Sequence, residues 1–159
     1  MTDTTVRDAL STAVSDVLES MFFLEALGEA PEPPPEAETV TALVTFDGDP
    51  PGSFYMRLAS MAANSIAADF LGEDPGTLTE QQSTSVTLEM ANMICGAVLS
   101  RIESSGSFRL GTPRIAAWDA TAAETMQETR YTVDTGNGTL TVAIQMETRT
   151  CSPAERSAY

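Results

Sequence analysis

The chain has 159 residues, with 23 Asp and Glu against 8 Lys and Arg, no histidine, and a formal net charge of -15. All eight basic residues are arginines: Arg7, Arg57, Arg101, Arg109, Arg114, Arg130, Arg149 and Arg156. This composition excludes Ser-His-Asp and Cys-His catalysis, imidazole metal ligands, Schiff bases and the P-loop, and it argues against nucleic acid, whose phosphates call for clustered Lys and Arg. Any chemistry must use carboxylates, amides, hydroxyls, two thiols, or a metal held by another molecule.

The length predicts one domain over 1–159, long enough to bury a core without staples. Hydrophobic content of 42% fits a globular chain. Cys95 lies in an apolar helical stretch and Cys151 in a polar tail, so neither a disulfide framework nor a zinc site is expected. There is no N-terminal signal pattern and no apolar run of spanning length, which predicts a soluble, cytoplasmic protein with no membrane partner. Residues 1–50 hold eleven acids against one arginine, read as a solvated acidic face plus a linker.

The first predicted element is a helix over 5–27. Val6, Leu10, Ala13, Val14, Val17, Leu18 and Met21 recur at helical spacing, Phe22, Phe23 and Leu24 extend the apolar surface, and Gly28 ends it. Residues 29–38, with three consecutive prolines, read as a stiff extended connector. Thr39 to Phe46 alternates as a strand, with Val40, Ala42, Val44 and Phe46 on one face. Asp47 to Gly52 is a turn, and Ser53 to Leu58 alternates again, closing a hairpin. Ala59 to Leu71 reads as a helix ended by Gly72, followed by a loop over 73–78.

Thr79 to Gln82 has capping-box spacing and opens a long helix running to about Glu103 before Ser104-Ser105-Gly106. Three strands are expected after it: Phe108–Trp118, Met126–Asp134 and Thr139–Glu147. The last two flank the hairpin signal Thr135-Gly136-Asn137-Gly138. Residues 148–159 read as a polar tail. Hairpins instead of βαβ crossovers predict an α+β fold, a mainly antiparallel sheet packed by the long helix and further helices.

On a helical wheel the long helix is apolar over most of its circumference and keeps one narrow polar seam: Gln82, Ser85, Glu89, Asn92, Gly96, Ser100 and Glu103. Such a helix is mostly buried. Glu89 and Asn92, at i and i+3, project side by side. Gly96 costs about 1 kcal/mol against alanine in a helix interior, which points to a need for close approach to the backbone. From spacing alone, this seam also matches an ordinary solvated helix edge.

The run Ser85-x-x-x-Glu89-x-x-Asn92, continued as Met93-Ile94-Cys95-Gly96 and followed by Pro113, resembles the signature of the CheC/CheX/FliY family of chemotaxis phosphatases. Leu88 to Ile94, LEMANMI, is especially similar to the single-site CheX branch. The order of elements agrees along most of the chain, the N-terminal helix and connector less clearly. The resemblance implies a phosphatase acting on a phosphorylated, CheY-like response regulator. Asn92 would orient a water for in-line attack on the aspartyl-phosphate, and Glu89 would pair with a lysine of the regulator. Ser85, Gly96 and Pro113 frame the motif without chemistry of their own. It implies no cofactor or metal on this chain, with Mg²⁺ and lysine supplied by the regulator. Met61 stands where a second Glu would precede Asn64, so the single-site branch is favoured and Asn64 is expected to be plain helix surface. That branch implies a homodimer, through Met21-Phe22-Phe23 or an open sheet edge.

Two other readings stand beside this one. The first is a non-enzymatic, flagellar-switch-like module that binds a regulator without hydrolysing its phosphate. The second is a dimeric structural domain with a plain polar seam. With -15 on the chain, docking is expected to rest on local contacts, with little basic steering and modest salt sensitivity.

Overall fold

The computed structural model describes residues 3–34, 37–102, 108–117 and 126–147. The expected helix end at Glu103, the loop 104–106, Trp118 and the polar tail with Cys151 lie outside the described residues. Four long strands form the sheet: β1 (Thr39–Asp47), β2 (Gly52–Ala59), β5 (Met126–Asp134) and β6 (Thr139–Glu147). Two short strands, β3 (Arg109–Leu110) and β4 (Arg114–Ile115), pair with β1. The order is β3-β1-β2-β6-β5, with every pairing antiparallel. Among the described residues three α-helices accompany it: α1 (Asp3–Met21), α2 (Ser60–Leu71) and α3 (Glu80–Ile102). This is the α+β architecture expected from the hairpin pattern.

Strand alternation sets the core. Val44 and Phe46, Phe54, Met56 and Leu58, Leu140, Val142 and Ile144, and Tyr131 and Val133 share one face and join α1, α2 and α3 in a single buried cluster. Burying each large apolar side chain contributes roughly 1.5–3 kcal/mol. β5 and β6 have the bounds read from the sequence. Their turn closes through Thr135 N–H to the Gly138 carbonyl at 2.9 Å, with Gly136 and Gly138 both at positive φ.

The first helix departs from expectation. Val6, Leu10, Ala13, Val14, Val17 and Leu18 are buried as predicted, but α1 stops at Met21 instead of running to residue 27. Phe23 takes a left-handed φ of 55°, and the Leu24 N–H turns back to the Leu18 carbonyl at 2.9 Å. The chain then lies along β5. Leu27 N–H meets Asp134 O at 2.8 Å, Asp134 N–H meets Gly28 O at 3.0 Å, and Ala30 N–H meets Thr132 O at 3.0 Å. Arg7 Nη1 caps the Arg130 carbonyl at 2.7 Å. Backbone pairing outcompetes continuation of the helix, and this part of the sheet edge is blunted, not open. Of the expected contact trio, Phe22 is buried against Phe70 with ring centroids 4.8 Å apart, while Met21 and Phe23 face solvent.

The connector fastens the sheet's other face. Glu32 accepts from Arg57 on β2 at 3.4 Å and from Arg130 on β5 at 3.1 Å, spanning the strand between them. Glu128 continues the network, accepting from Arg130 Nε at 2.7 Å and Gln145 Nε2 at 2.8 Å. Partial burial alone would lower the Arg130 pKa; the hydrogen bond and charge of Glu128, with Glu32, outweigh it and hold the guanidinium above its ordinary value.

The strand expected at 108–118 is broken in two. Phe46 pairs with Leu110 and Asp47 with Arg109, whereas Ala42 pairs with Ile115 and Leu43 with Arg114. One extra residue sits on this strap between the two pairings, a bulge occupied by Gly111-Thr112-Pro113. Proline has no N–H for a ladder, so an edge bulge is where a sheet tolerates it.

Candidate functional site

The seam rests on α3, and the start of that helix is fixed as its spacing predicts. Thr79 N–H donates to Gln82 Oε1 at 2.9 Å and Gln82 N–H to Thr79 Oγ1 at 3.1 Å, a reciprocal capping box. Val86, Thr87, Met90, Ala91, Ile94, Cys95, Val98 and Leu99 are buried against α1, α2 and the sheet. Arg101 pairs with Asp16 of α1, tying the far end down. The helix is thus held along its length and presents one side to solvent.

On that side the structure brings together the residues singled out from the sequence. Ser85 and Glu89 are exposed; Asn92 and Gly96 are half-buried. Among the described residues, neither the Glu89 carboxylate nor the Asn92 carboxamide has a hydrogen-bond or ion-pair partner. Between Glu80 and Arg101, Glu89 is the one charged residue of α3. Along the seam from Gln82 to Ser100, Glu89 is thus the one carboxylate, and the acid excess of the chain is concentrated elsewhere.

The strap runs along one flank. Val40, at the start of β1, lines a cleft with Ser83, Thr84 and Thr87 of α3, and Leu110, opposite Phe46, lies beside Gly96. β1 and α3 therefore run in the same direction. Ile115, opposite Ala42, falls between these points along β1, on the short strand that also touches α3. It is 43% exposed. Pro113 sits in the bulge between Leu110 and Ile115. Leu110 and Ile115 were not singled out from the sequence; the break Gly111-Thr112-Pro113 inside an otherwise alternating run was the available signal.

Asn64 differs from expectation. It is half-buried and lines a cleft of about 440 Å³ between α2 and α3, with Glu38, Ser60, Glu80, Ser83 and Thr87 among its neighbours. Met61, one turn earlier, is 85% exposed. Cys95 is buried, and burial pushes its thiol up to about 12, so it is neither a nucleophile nor a ready metal ligand. No group of three or more Cys, Asp or Glu side chains suited to a metal occurs among the described residues. Among them, no helix is long and apolar enough to cross a membrane.

Residues 40–136 match the family described as Chemotaxis phosphatase CheX, and the chain belongs to that family. The fold is shared by chemotaxis protein CheX from Vibrio vulnificus, at 22% identity over 92% of this chain and 99% of that one, with a TM-score of 0.71. It is also shared by the CheX of a CheX–CheY–BeF₃–Mg complex from Borrelia burgdorferi, at 17% identity over 89% and 97% and a TM-score of 0.71. The FliM middle domain of Vibrio alginolyticus resembles it more distantly, at 9% identity over 96% and 97% and a TM-score of 0.59. No curated protein sequence matches the chain.

Proposed function

We propose that this protein dephosphorylates the aspartyl-phosphate of a CheY-like response regulator, with Asn92 and Glu89 as its active pair. The observation that carries the reading is the pair itself: one turn apart, Glu89 exposed and Asn92 half-buried, without partners among the described residues, on a helix locked along its buried side. Membership of a phosphatase family supports the activity, and the Borrelia CheX complex with CheY supports the choice of partner.

The chemistry asks little of the enzyme. Phosphoryl transfer depends on positioning and charge neutralisation more than on covalent help. The Asn92 carboxamide carries both an acceptor and a donor, so it holds a water by one end and the phosphoryl site by the other. The water oxygen bonds to phosphorus as the bond to the aspartyl oxygen breaks, leaving the regulator's carboxylate and inorganic phosphate. Glu89 pairs with a lysine of the regulator and fixes the register. Mg²⁺ is expected on the regulator, where it would supply charge neutralisation for the phosphoryl group. Ser85 and Pro113 shape the frame around the pair. The setting is cytoplasmic, as the substrate requires.

A homodimer belongs to the same reading. The exposed Phe23 and Met21 are its candidate contact, and a monomer mass in light scattering at micromolar concentration would remove it. The central test mixes the protein with phosphorylated receiver domains and Mg²⁺ and follows phosphate release. Acceleration by the intact chain, lost in Asn92→Ala with the fold retained, is the expected result; no acceleration with any of several receivers would sink the proposal. The likeness to a FliM middle domain favours one second reading, a receiver-binding module without hydrolysis. Binding that leaves the lifetime of the aspartyl-phosphate unchanged would select it.

A further inference from the structure

Gly96 lies one turn beyond Asn92 on the open side of α3, and nothing among the described residues requires a glycine there. Its backbone is ordinary helix. Among the described residues, a methyl group built on it would meet only Leu110 Cδ2 at 3.9 Å, an ordinary van der Waals contact. Gly52 and Gly111 are different: there the added carbon would fall 2.0 Å from the Gln145 carbonyl oxygen and 2.9 Å from Thr45 Oγ1. The sheet demands glycine at those positions and the helix does not demand it at 96.

Glycine in a helix interior loses more backbone freedom on folding than alanine, and replacing it stabilises wherever the conformation permits. The chain forgoes that gain at Gly96. Local costs without internal compensation gather where a surface must work. The backbone groups of this turn are already served. Ser100 Oγ donates to the Gly96 carbonyl at 2.9 Å, and Arg101 Nη1 to the Ala97 carbonyl at 3.1 Å. Gly96 therefore offers clearance, not a hydrogen bond. Its flanks are apolar: Met93, Ala97 and Leu110 are half-buried around it.

We infer that Gly96 is a positioning residue that sets how closely α3 approaches the receiver domain. An apolar stretch of the receiver packs on the bare turn at Gly96, and only that closeness lets Asn92 reach the phosphoryl group. This rests on the function proposed above. A side chain at 96 stands between the two surfaces, and misplacing a catalytic group by about 1 Å costs on the order of 100-fold.

The test compares Gly96→Ala and Gly96→Leu with the intact chain in two assays. One is steady-state phosphate release from phosphorylated receivers; the other is equilibrium binding to the same receivers loaded with beryllofluoride and Mg²⁺. Gly96→Ala is expected to raise the melting temperature by about 2–4 °C while kcat/KM falls at least tenfold. Gly96→Leu should lose binding with its helical signal intact. A stabilised Gly96→Ala with kcat/KM within twofold of the intact chain overturns the inference. So does a lowered melting temperature, which would show that the fold needs the glycine. Should the intact chain bind receivers without hydrolysing phosphate, the phosphatase reading fails alone, and weaker binding by Gly96→Ala but not by Asn64→Ala still supports the role of Gly96. An intact chain that neither binds nor hydrolyses overturns both.

Discussion

α2 and α3 carry similar local lettering, Met61-Ala62-Ala63-Asn64 and Glu89-Met90-Ala91-Asn92, and they pack against each other. Their asparagines nevertheless stand in different surroundings. Asn92 is half-buried on the solvent side of α3, with a carboxylate one turn before it. Asn64 has the thioether of Met61 one turn before it, and its carboxamide lines the cleft against α3. The helices also begin differently: α3 is closed by the Thr79–Gln82 box, while Ala59 caps α2 with no side-chain bond. In the proposed function, the amide that serves a docking partner is the one with an anchor beside it on a helix held still. The same residue in a cleft wall, without the anchor, is ordinary structure.

The sharpest way to break this comparison is to truncate both amides. Asn92→Ala is expected to lower kcat for phosphate release by about 100-fold or more, the scale for losing a positioned polar group at a reacting centre. Asn64→Ala should leave kcat unchanged, and equal losses would end the distinction between the helices. Glu89→Gln should raise KM about tenfold, equivalent to about 1.4 kcal/mol, with a smaller effect on kcat, as read from initial rates against receiver concentration. Thr79→Ala removes the box that α2 lacks. It should cost about 1 kcal/mol in thermal or urea unfolding and leave kcat/KM near normal below the transition. Met61→Glu supplies α2 with the missing anchor. On an exposed turn it should change stability by less than about 0.5 kcal/mol and restore no phosphate release when combined with Asn92→Ala.

Several of these features were readable before any fold was known. The alternation on both sides of Thr135-Gly136-Asn137-Gly138 fixed the bounds of β5 and β6, because period-two burial and a glycine turn act locally. The Thr79–Gln82 box and the Glu89–Asn92 seam were readable for the same reason: helical spacing alone places them. The end of α1 was not. Phe22 to Leu24 continue an apolar run, and only pairing of Leu27 to Ala30 with a strand more than a hundred residues away pulls the chain out of the helix. The fastening of the connector was equally hidden, since Glu32 meets Arg57 and Arg130 at separations of 25 and 98 residues. For the site, the wheel found the pair but not its freedom from internal partners, which depends on what every other side chain does. The cleft around Asn64 was missed because Glu38 and Val40 come to it from β1.

The bulge at Pro113 has a consequence of parity. Side chains on a strand alternate between faces, so one inserted residue exchanges the two sets beyond it. As built, Ile115 stands opposite Ala42 on the helix side, and Arg114 opposite Leu43 on the other. With the pairing of Leu110 to Phe46 carried on unbroken, Arg114 would come opposite Ala42 instead. Its guanidinium would then stand on the face that packs toward α3, adding a cation on the side of the carboxylate that the proposed docking uses. One residue in an edge strand thus keeps a cation out of reach of the seam and an apolar side chain beside it.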